Sequence, residues 1–355
     1  MTQPSDEDLR WLDAAVRFAT PFLGTTGDAP CAAALVVAPL DQTLIARAVT
    51  ARNGSPHAEA LALGSAGFDA AGATLYVTLE PCHHWGRTPP CVDAIVRAGI
   101  MRVVIGVADP HAAGKGVERL ESAGVEVVVA GHAPSAMLHA GYISRRNKAR
   151  PHVTAIMAVS PDDKVVTAVT GAARDWLDML RARCNAILIG AATARHIQGQ
   201  LAVALAGLAA RTPLRIVLAG AEGVDRSLNL VGGFSGYRTA IIAENSVRVE
   251  APVSVEVMRV AGEDGHADLA ASLEMLAEKG IQNLLVEAGP RLSATLLKAG
   301  LIDCFALIRT SASGSEGSSA SGSGKIVAEI VSAGLVESEG QSTGRDTLTF
   351  YRRPA

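Results

Sequence analysis

Cysteine is scarce in this chain: five thiols, Cys31, Cys82, Cys91, Cys184 and Cys304, are spread thinly over 355 residues. An odd count at that density excludes a disulfide framework and fits a reducing compartment. Clustered positive charge is also missing. The formal net charge is -3 and no Lys/Arg-rich run occurs, so the electrostatic footprint of a nucleic-acid binder is absent and a small-molecule substrate is favoured. No apolar run reaches the roughly 18 residues of a membrane span. The first ten residues are polar and acidic, without the basic and apolar regions of a secretory signal, which leaves the cytoplasm as the expected location. No solenoid-type repeat is visible.

What is present suffices for a sizeable core. Hydrophobic residues make up 49% and charged residues 19% of the chain, and the length suggests two domains. Asp6 to Phe22 carries Leu9, Leu12, Ala15, Val16 and Ala19 at helical spacing behind an acidic first turn. Residues 32–37 and 43–49 read as two strands joined by a turn at 39–42. Ala58 to Ala66 reads as a helix with His57 and Glu59 in its first turn, where the helix dipole favours Glu59 as a carboxylate. Ala73 to Leu79 is an expected strand, Val92 to Ala98 an expected helix, and 101–107 and 125–129 further strands. Strands alternating with helices imply an α/β sandwich with parallel strands at its centre.

Between Gly141 and Arg150 the chain turns basic and polar, which marks a boundary and divides the chain into domains 1–148 and 149–355. The second half again alternates apolar runs, from His152 to Val159 through Cys304 to Ile308, with helical patterns. Residues 311–324 are almost entirely Ser and Gly and read as a flexible linker or disordered loop.

The chemistry concentrates between His57 and Cys91. A lone His-x-Glu or a lone pair of cysteines is weak evidence, and a coincidental, metal-free site is the bland alternative. Here the set occurs in order: His57-Ala58-Glu59 at a helix start, Pro81-Cys82 at the end of a strand, and Cys91 opening the next helix. One imidazole and two thiolates are suitable ligands for a catalytic zinc with an open fourth position. Glu59 is then the residue that handles protons.

The run from His57 to Cys91, with its Glu80-Pro81-Cys82-His83-His84-Trp85-Gly86-Arg87-Thr88-Pro89-Pro90-Cys91 insert, resembles the bifunctional pyrimidine deaminase-reductase family of riboflavin biosynthesis. Asp109-Pro110 and Gly114-Lys115-Gly116 are similar too. The resemblance implies a cytidine-deaminase-like three-layer α/β/α sandwich followed by a dihydrofolate-reductase-like α/β domain. It implies zinc-dependent deamination of a phosphoribosylated diaminopyrimidinone, followed by NADPH-dependent reduction of the ribosyl side chain, in a homo-oligomer such as a dimer. His84 and Arg87 fall at positions that contact substrate, Arg87 pairing with phosphate; a solvated loop is the bland reading of both. In the second half Ser160, Asp162, Gly190, Thr193, Glu287 and Gly289 fall at cofactor-binding positions, the glycines allowing close backbone approach and the helix opened by Pro290 offering amides.

The chain departs from the family in both halves. Ala29 and Thr50 stand where an Asn and a His that read the substrate are expected. In the second half Ile156 replaces a Lys, and Ala194 to Gln200 replaces an acidic, phosphate-contacting run. A zinc deaminase of another pyrimidine, with a structural or partner-binding second domain, is therefore the alternative.

Overall fold

The computed structural model describes residues 3–86, 88–112, 114–161, 164–166, 169–196, 201–232, 236–287, 289–310, 323–343 and 346–354. The chain divides into two compact units, Met1–Ala149 and Arg150–Ala355. The Ser/Gly-rich expectation falls largely on 311–322, outside the described residues; a helix starts at Ser323.

In the first unit the order is α1 (Asp6–Ala19), β1 (Ala33–Val37), β2 (Leu44–Val49), α2 (Ala58–Ala66), β3 (Thr74–Val77), α3 (Cys91–Arg97), β4 (Arg102–Ile105), α4 (Lys115–Ser122), β5 (Glu126–Val129), α5 (Ala133–Leu138) and α6 (Ala140–Lys148). The strands form one sheet ordered β2-β1-β3-β4-β5, antiparallel across β2, β1 and β3 and parallel from β3 to β5. Alternation along the strands makes two cores. Ala34, Val36, Leu75, Val77, Val103 and Ile105 face Ala62 of α2, Val92 and Ile95 of α3 and Leu120 of α4. Ala33, Leu35, Val37, Tyr76, Val104 and Val128 face Leu12, Ala15 and Ala19 of α1 and Leu138 of α5. A sheet covered on both faces explains why β1 and β3 are buried at every position.

The start of α1 is tied to the sheet. Ser5 and Asp8 form a reciprocal capping box, and Asp8 is clasped by Arg102 of β4 at 2.7 and 3.0 Å. Burial alone would raise the Asp8 carboxyl, but the Arg102 hydrogen bonds and those from Ser5 hold it at about 2.

The second unit runs β6 (His152–Val159), β7 (Val165–Val166), α7 (Gly171–Ala182), β8 (Ala186–Gly190), α8 (Ala191–His196), β9 (Leu214–Leu218), α9 (Asn229–Gly232), β10 (Thr239–Glu244), β11 (Glu256–Val260), β12 (Gly262–Glu263), β13 (His266–Ala267), α10 (Leu269–Glu278), β14 (Asn283–Val286), α11 (Pro290–Lys298), β15 (Cys304–Arg309), α12 (Ser323–Ser332), β16 (Val336–Thr343) and β17 (Asp346–Arg352). Its main sheet is ordered β11-β10-β9-β8-β14-β6-β15-β17-β16. The strands are parallel from β11 to β15, and β17 and β16 close the edge antiparallel. One face buries Val153, Ala155 and Met157 of β6 against α10, α11 and α12; the other buries Ile156, Ile187, Ile189 and Ile241 with Ala173 of α7 and Ala191 and Ala194 of α8. Residues 171–175 form the first turn of α7. Among the described residues no helix is long and apolar enough to cross a membrane.

Candidate active site

The helix after β2 spans the expected Ala58–Ala66, with His57 just outside its first turn. His57 is the N-cap of α2, with extended backbone and no side-chain cap bond, so its ring is not spent on the helix. Glu59 lies in the first turn and is buried. On the other side of the site β3 ends at Val77 and the chain runs on through Glu80 to Cys82, while Cys91 is the first residue of α3. The Cys91 N–H donates to the Cys82 sulfur at 3.3 Å.

His57, Cys82 and Cys91, 25 and 34 residues apart in sequence from the histidine, therefore converge. The His57 Nδ1 lies 3.6 Å from the Cys82 Sγ and 3.4 Å from the Cys91 Sγ. Two zinc bonds at a tetrahedral angle hold a nitrogen and a sulfur about 3.6 Å apart, so the donor set fits zinc in both chemistry and spacing. Among the described residues these three form the one cluster of metal-ligating side chains.

The electrostatics agree with a site built to hold a cation. Hydrogen bonding from Cys91 lowers Cys82 to about 4, helped by His57 and the Cys91 amide. Cys91 is raised in turn by its bond to Cys82 and by burial. For Glu59 the outcome differs from the helix-dipole expectation: burial raises its pKa, and attraction to His57 does not cancel it. Desolvation inside a closed core outweighs half a charge at a helix end.

These groups open into a pocket of about 300 Å³, within the range of small-molecule sites. Its lining includes Asp28, Ala29, Thr50, Glu80, His84, Asp109, His111, Tyr142 and Arg146. His84 is exposed on the pocket rim, edge-on to both His83 and His111 at 5.4 Å. Arg87 lies outside the described residues. Thr50 does not replace a base-reading histidine: its hydroxyl accepts the Ala32 N–H at 3.1 Å and stays bound to that backbone. Gly54, at φ +83°, sits where a Cβ would come within 2.4 Å of the Ala29 methyl, so Ala29 is packed against it in the pocket wall.

Sequence reasoning missed Glu80 and the wall made by Asp109, His111, Tyr142 and Arg146. Glu80 accepts the N–H groups of Asp109 at 3.1 Å and Gly116 at 3.0 Å, fixing the segment after β4 beside the metal ligands. The signal available was a carboxylate two residues before a ligand cysteine, too buried to be a solvated charge. Tyr142 and Arg146 fell in the stretch from Gly141 to Arg150, which reads in sequence only as a basic, polar boundary.

In the second unit a smaller cavity of about 100 Å³ brings together Thr193, Glu287 and Gly289 with Ile156, Val165 and Ile308. A Cβ at Gly289 would stand 3.1 Å from the Thr193 Oγ1, so backbone and hydroxyl approach closely there. Gly289 also N-caps α11 without a side-chain bond, leaving the first amides to a ligand such as a dinucleotide phosphate. Glu287 is gripped by Arg181 at 2.6 and 2.7 Å and faces the cavity as one half of an ion pair. Ser160 exchanges bonds with Lys164 across its turn and is not among the residues lining this cavity. Gly190 ends β8, where a Cβ would make only ordinary contact with Leu292 at 3.8 Å, so crowding does not demand glycine there. Asp162 lies outside the described residues. Thr193, Glu287 and Gly289 thus come together at a cavity whose donors fit a nicotinamide dinucleotide.

Comparison with known proteins supplies the context for both units. Residues 5–107 match the family described as the cytidine and deoxycytidylate deaminase zinc-binding region, and residues 142–338 match the RibD C-terminal domain. The chain is 34% identical over 310 residues to a riboflavin biosynthesis protein RibD of Aquifex aeolicus, covering 83% of this chain and 85% of the relative. It is 33% identical over 323 residues to the Escherichia coli protein of that name, with 84% and 86% covered. Among solved structures it is similar to a diaminohydroxyphosphoribosylaminopyrimidine deaminase/5-amino-6-(5-phosphoribosylamino)uracil reductase of Thermotoga maritima. That match has a TM-score of 0.81 and 27% identity, with 98% of this chain and 99% of that chain covered.

Proposed function

The chain belongs to the riboflavin biosynthesis protein RibD family, and from that premise we propose that residues His57, Glu59, Cys82 and Cys91 carry its deaminase reaction. The protein is a deaminase and reductase of riboflavin biosynthesis that uses zinc and NADPH. The family carries two activities, which favours the reductase reading of the second half over a merely structural domain. We assign deamination to the first unit and reduction to the second.

The observation that carries the assignment is the convergence of one imidazole and two thiols beside a buried carboxylate. Zinc held by His57, Cys82 and Cys91 supplies Lewis acidity that brings the pKa of a water toward neutrality. Glu59, its pKa raised by burial, takes a proton from the attacking water at its carboxylate. It passes that proton to the pyrimidine ring nitrogen, then carries the remaining proton of the added hydroxyl to the amine, which leaves as ammonia as the carbonyl forms. The enclosing pocket excludes bulk water from these transfers. The substrate follows the Thermotoga relative: a diaminopyrimidinone carrying a ribosyl phosphate.

The reductase step is assigned to the cavity at Thr193, Glu287 and Gly289. The uncapped start of α11 supplies amides to cofactor phosphate, and the apolar lining excludes water from hydride transfer. We also propose a cytoplasmic enzyme, supported by five free thiols, acting on a small molecule as a homo-oligomer such as a dimer. Sedimentation of the purified protein decides the assembly.

The decisive experiment incubates the protein with the diaminopyrimidine substrate, with and without NADPH, and identifies products by mass. Ammonia release lost in Glu59→Gln but retained in wild type is the expected result. Equal deamination by the variant, or protein purified without zinc, overturns the assignment.

A further inference from the structure

The pocket of the first unit has a wall that the proton chemistry leaves unused. It is formed by the segment after β4 and by α6, and carries Asp109, His111, Tyr142 and Arg146. Tyr142 is buried, and its hydroxyl donates to Asp109 Oδ1 at 3.0 Å. The same oxygen accepts the His111 N–H at 2.8 Å, and Asp109 is itself anchored through its amide by Glu80 at 3.1 Å. Four residues beyond Tyr142, on the same helix face, Arg146 lays its guanidinium 5.5 Å from the centre of the tyrosine ring.

A bland explanation exists for positive charge here. Arg145, Arg146 and Lys148 all fall in the last turn of α6, where cations offset the helix dipole. The three are not equivalent. Arg145 reaches away to the Asp28 carbonyl at 3.3 Å, and of the three only Arg146 lines the pocket. Its ring partner is neutral, so stacking fixes the guanidinium without cancelling its charge. The Asp109 carboxylate is engaged by Tyr142 and the His111 amide.

Elsewhere the lining carries Asp28, Ser55, His84 and Thr88 as polar side chains, Ala29 and Ala32 contribute methyl groups, and the Thr50 hydroxyl is bound to the Ala32 backbone. A phosphate calls for a cation, and a planar guanidinium matches it through paired N–H donors. The His111 imidazole, edge-on to His84 at 5.4 Å, stands in the same lining as a further N–H donor.

We propose that Arg146, propped on Tyr142, reads the phosphate of the substrate in the deaminase pocket, with His111 as an auxiliary donor. The proposal rests on the deaminase reading above and adds a residue to it. Losing one charge-assisted contact of this kind lowers affinity roughly 10- to 100-fold.

The test uses the full-length, zinc-loaded protein and two pyrimidine substrates, one with the ribosyl phosphate and one dephosphorylated. In Arg146→Gln the ratio of kcat/KM for phosphorylated over dephosphorylated substrate falls by that factor, mainly through KM, and Arg146→Lys restores part of it. An unchanged ratio, or an equal loss on both substrates, overturns the proposal. Calorimetric binding of ribose 5-phosphate separates the two readings. If wild-type protein releases no ammonia from either pyrimidine, the deaminase reading fails, and the subsite is decided by binding alone: weaker in Arg146→Gln supports it, unchanged refutes it. Ammonia release with an unchanged ratio leaves the deaminase standing and removes the subsite.

Discussion

Glu80 accepts the backbone N–H of Gly116 at 3.0 Å, and a Cβ on that glycine would stand 2.4 Å from the Pro81 carbonyl oxygen. The start of α4 is therefore pressed onto the strand-end segment that delivers Cys82. Close approach and hydrogen bond depend on each other, since the amide reaches the carboxylate only because no side chain intervenes.

Replacing Glu80 by Ala leaves the Asp109 and Gly116 amides buried without their acceptor. The expected cost is about 3 kcal/mol of stability, read as a lower urea midpoint, with weaker deaminase turnover as the Asp109 wall loosens. Gly116→Ala should lose both by backbone displacement. A Glu80→Ala variant with wild-type midpoint and turnover contradicts this.

His139 gives the first unit a pH dependence. It is fully buried beside Thr78, whose hydroxyl lies 3.0 Å from its Nε2, and burial pushes its pKa down to about 3. The unfolded chain takes up a proton near pH 6.5 while the folded chain resists until about 3. Stability contributed by the neutral ring is complete above pH 6.5 and declines as pH falls toward 3. Urea unfolding between pH 7 and pH 4 should show a flatter profile in His139→Gln than in wild type; parallel profiles would reject the assignment.

In the second unit Asp303 takes two bonds from Arg150, at 2.6 and 2.8 Å, and the Val153 N–H at 2.9 Å. Burial would raise its carboxyl, yet these bonds and the charge of His152 hold it at about 2. A depressed carboxyl contributes stability that is present above its ordinary value of 3.8 and is lost as pH drops through about 2. Asp303→Asn keeps the shape and removes the charge opposite Arg150, with an expected loss of about 3 kcal/mol. Thermal unfolding at pH 7 checks it, and an unchanged midpoint would count against a stabilising pair.

Gly289→Ala places a methyl 3.1 Å from the Thr193 Oγ1, at the start of α11. Thr193 must give way by a few tenths of an ångström, disturbing the cavity assigned to the cofactor. A several-fold higher KM for NADPH is expected, with ammonia release untouched. Equal loss of both activities would point to general unfolding instead.

Much of this was legible in the chain itself. The alternation of apolar runs announced two α/β units because a strand buried on both faces must be apolar throughout, as β1 and β3 are. The zinc site was legible because metal chemistry restricts ligands to few residue types, and His57, Cys82 and Cys91 occur in an order tied to a helix start, a strand end and a second helix start. Tertiary structure decided what depends on distant segments meeting. The sign of the Glu59 shift follows from burial by neighbours, not from its place on α2. The Ser160 hydroxyl meets Lys164 across its turn, and Glu287 is ion-paired because α7 carries Arg181 to it. The Asp109, Tyr142 and Arg146 wall joins residues up to 37 positions from one another through packing that no local pattern encodes, so a substrate-facing cation could be read only after the fold had assembled around His57 and Cys91.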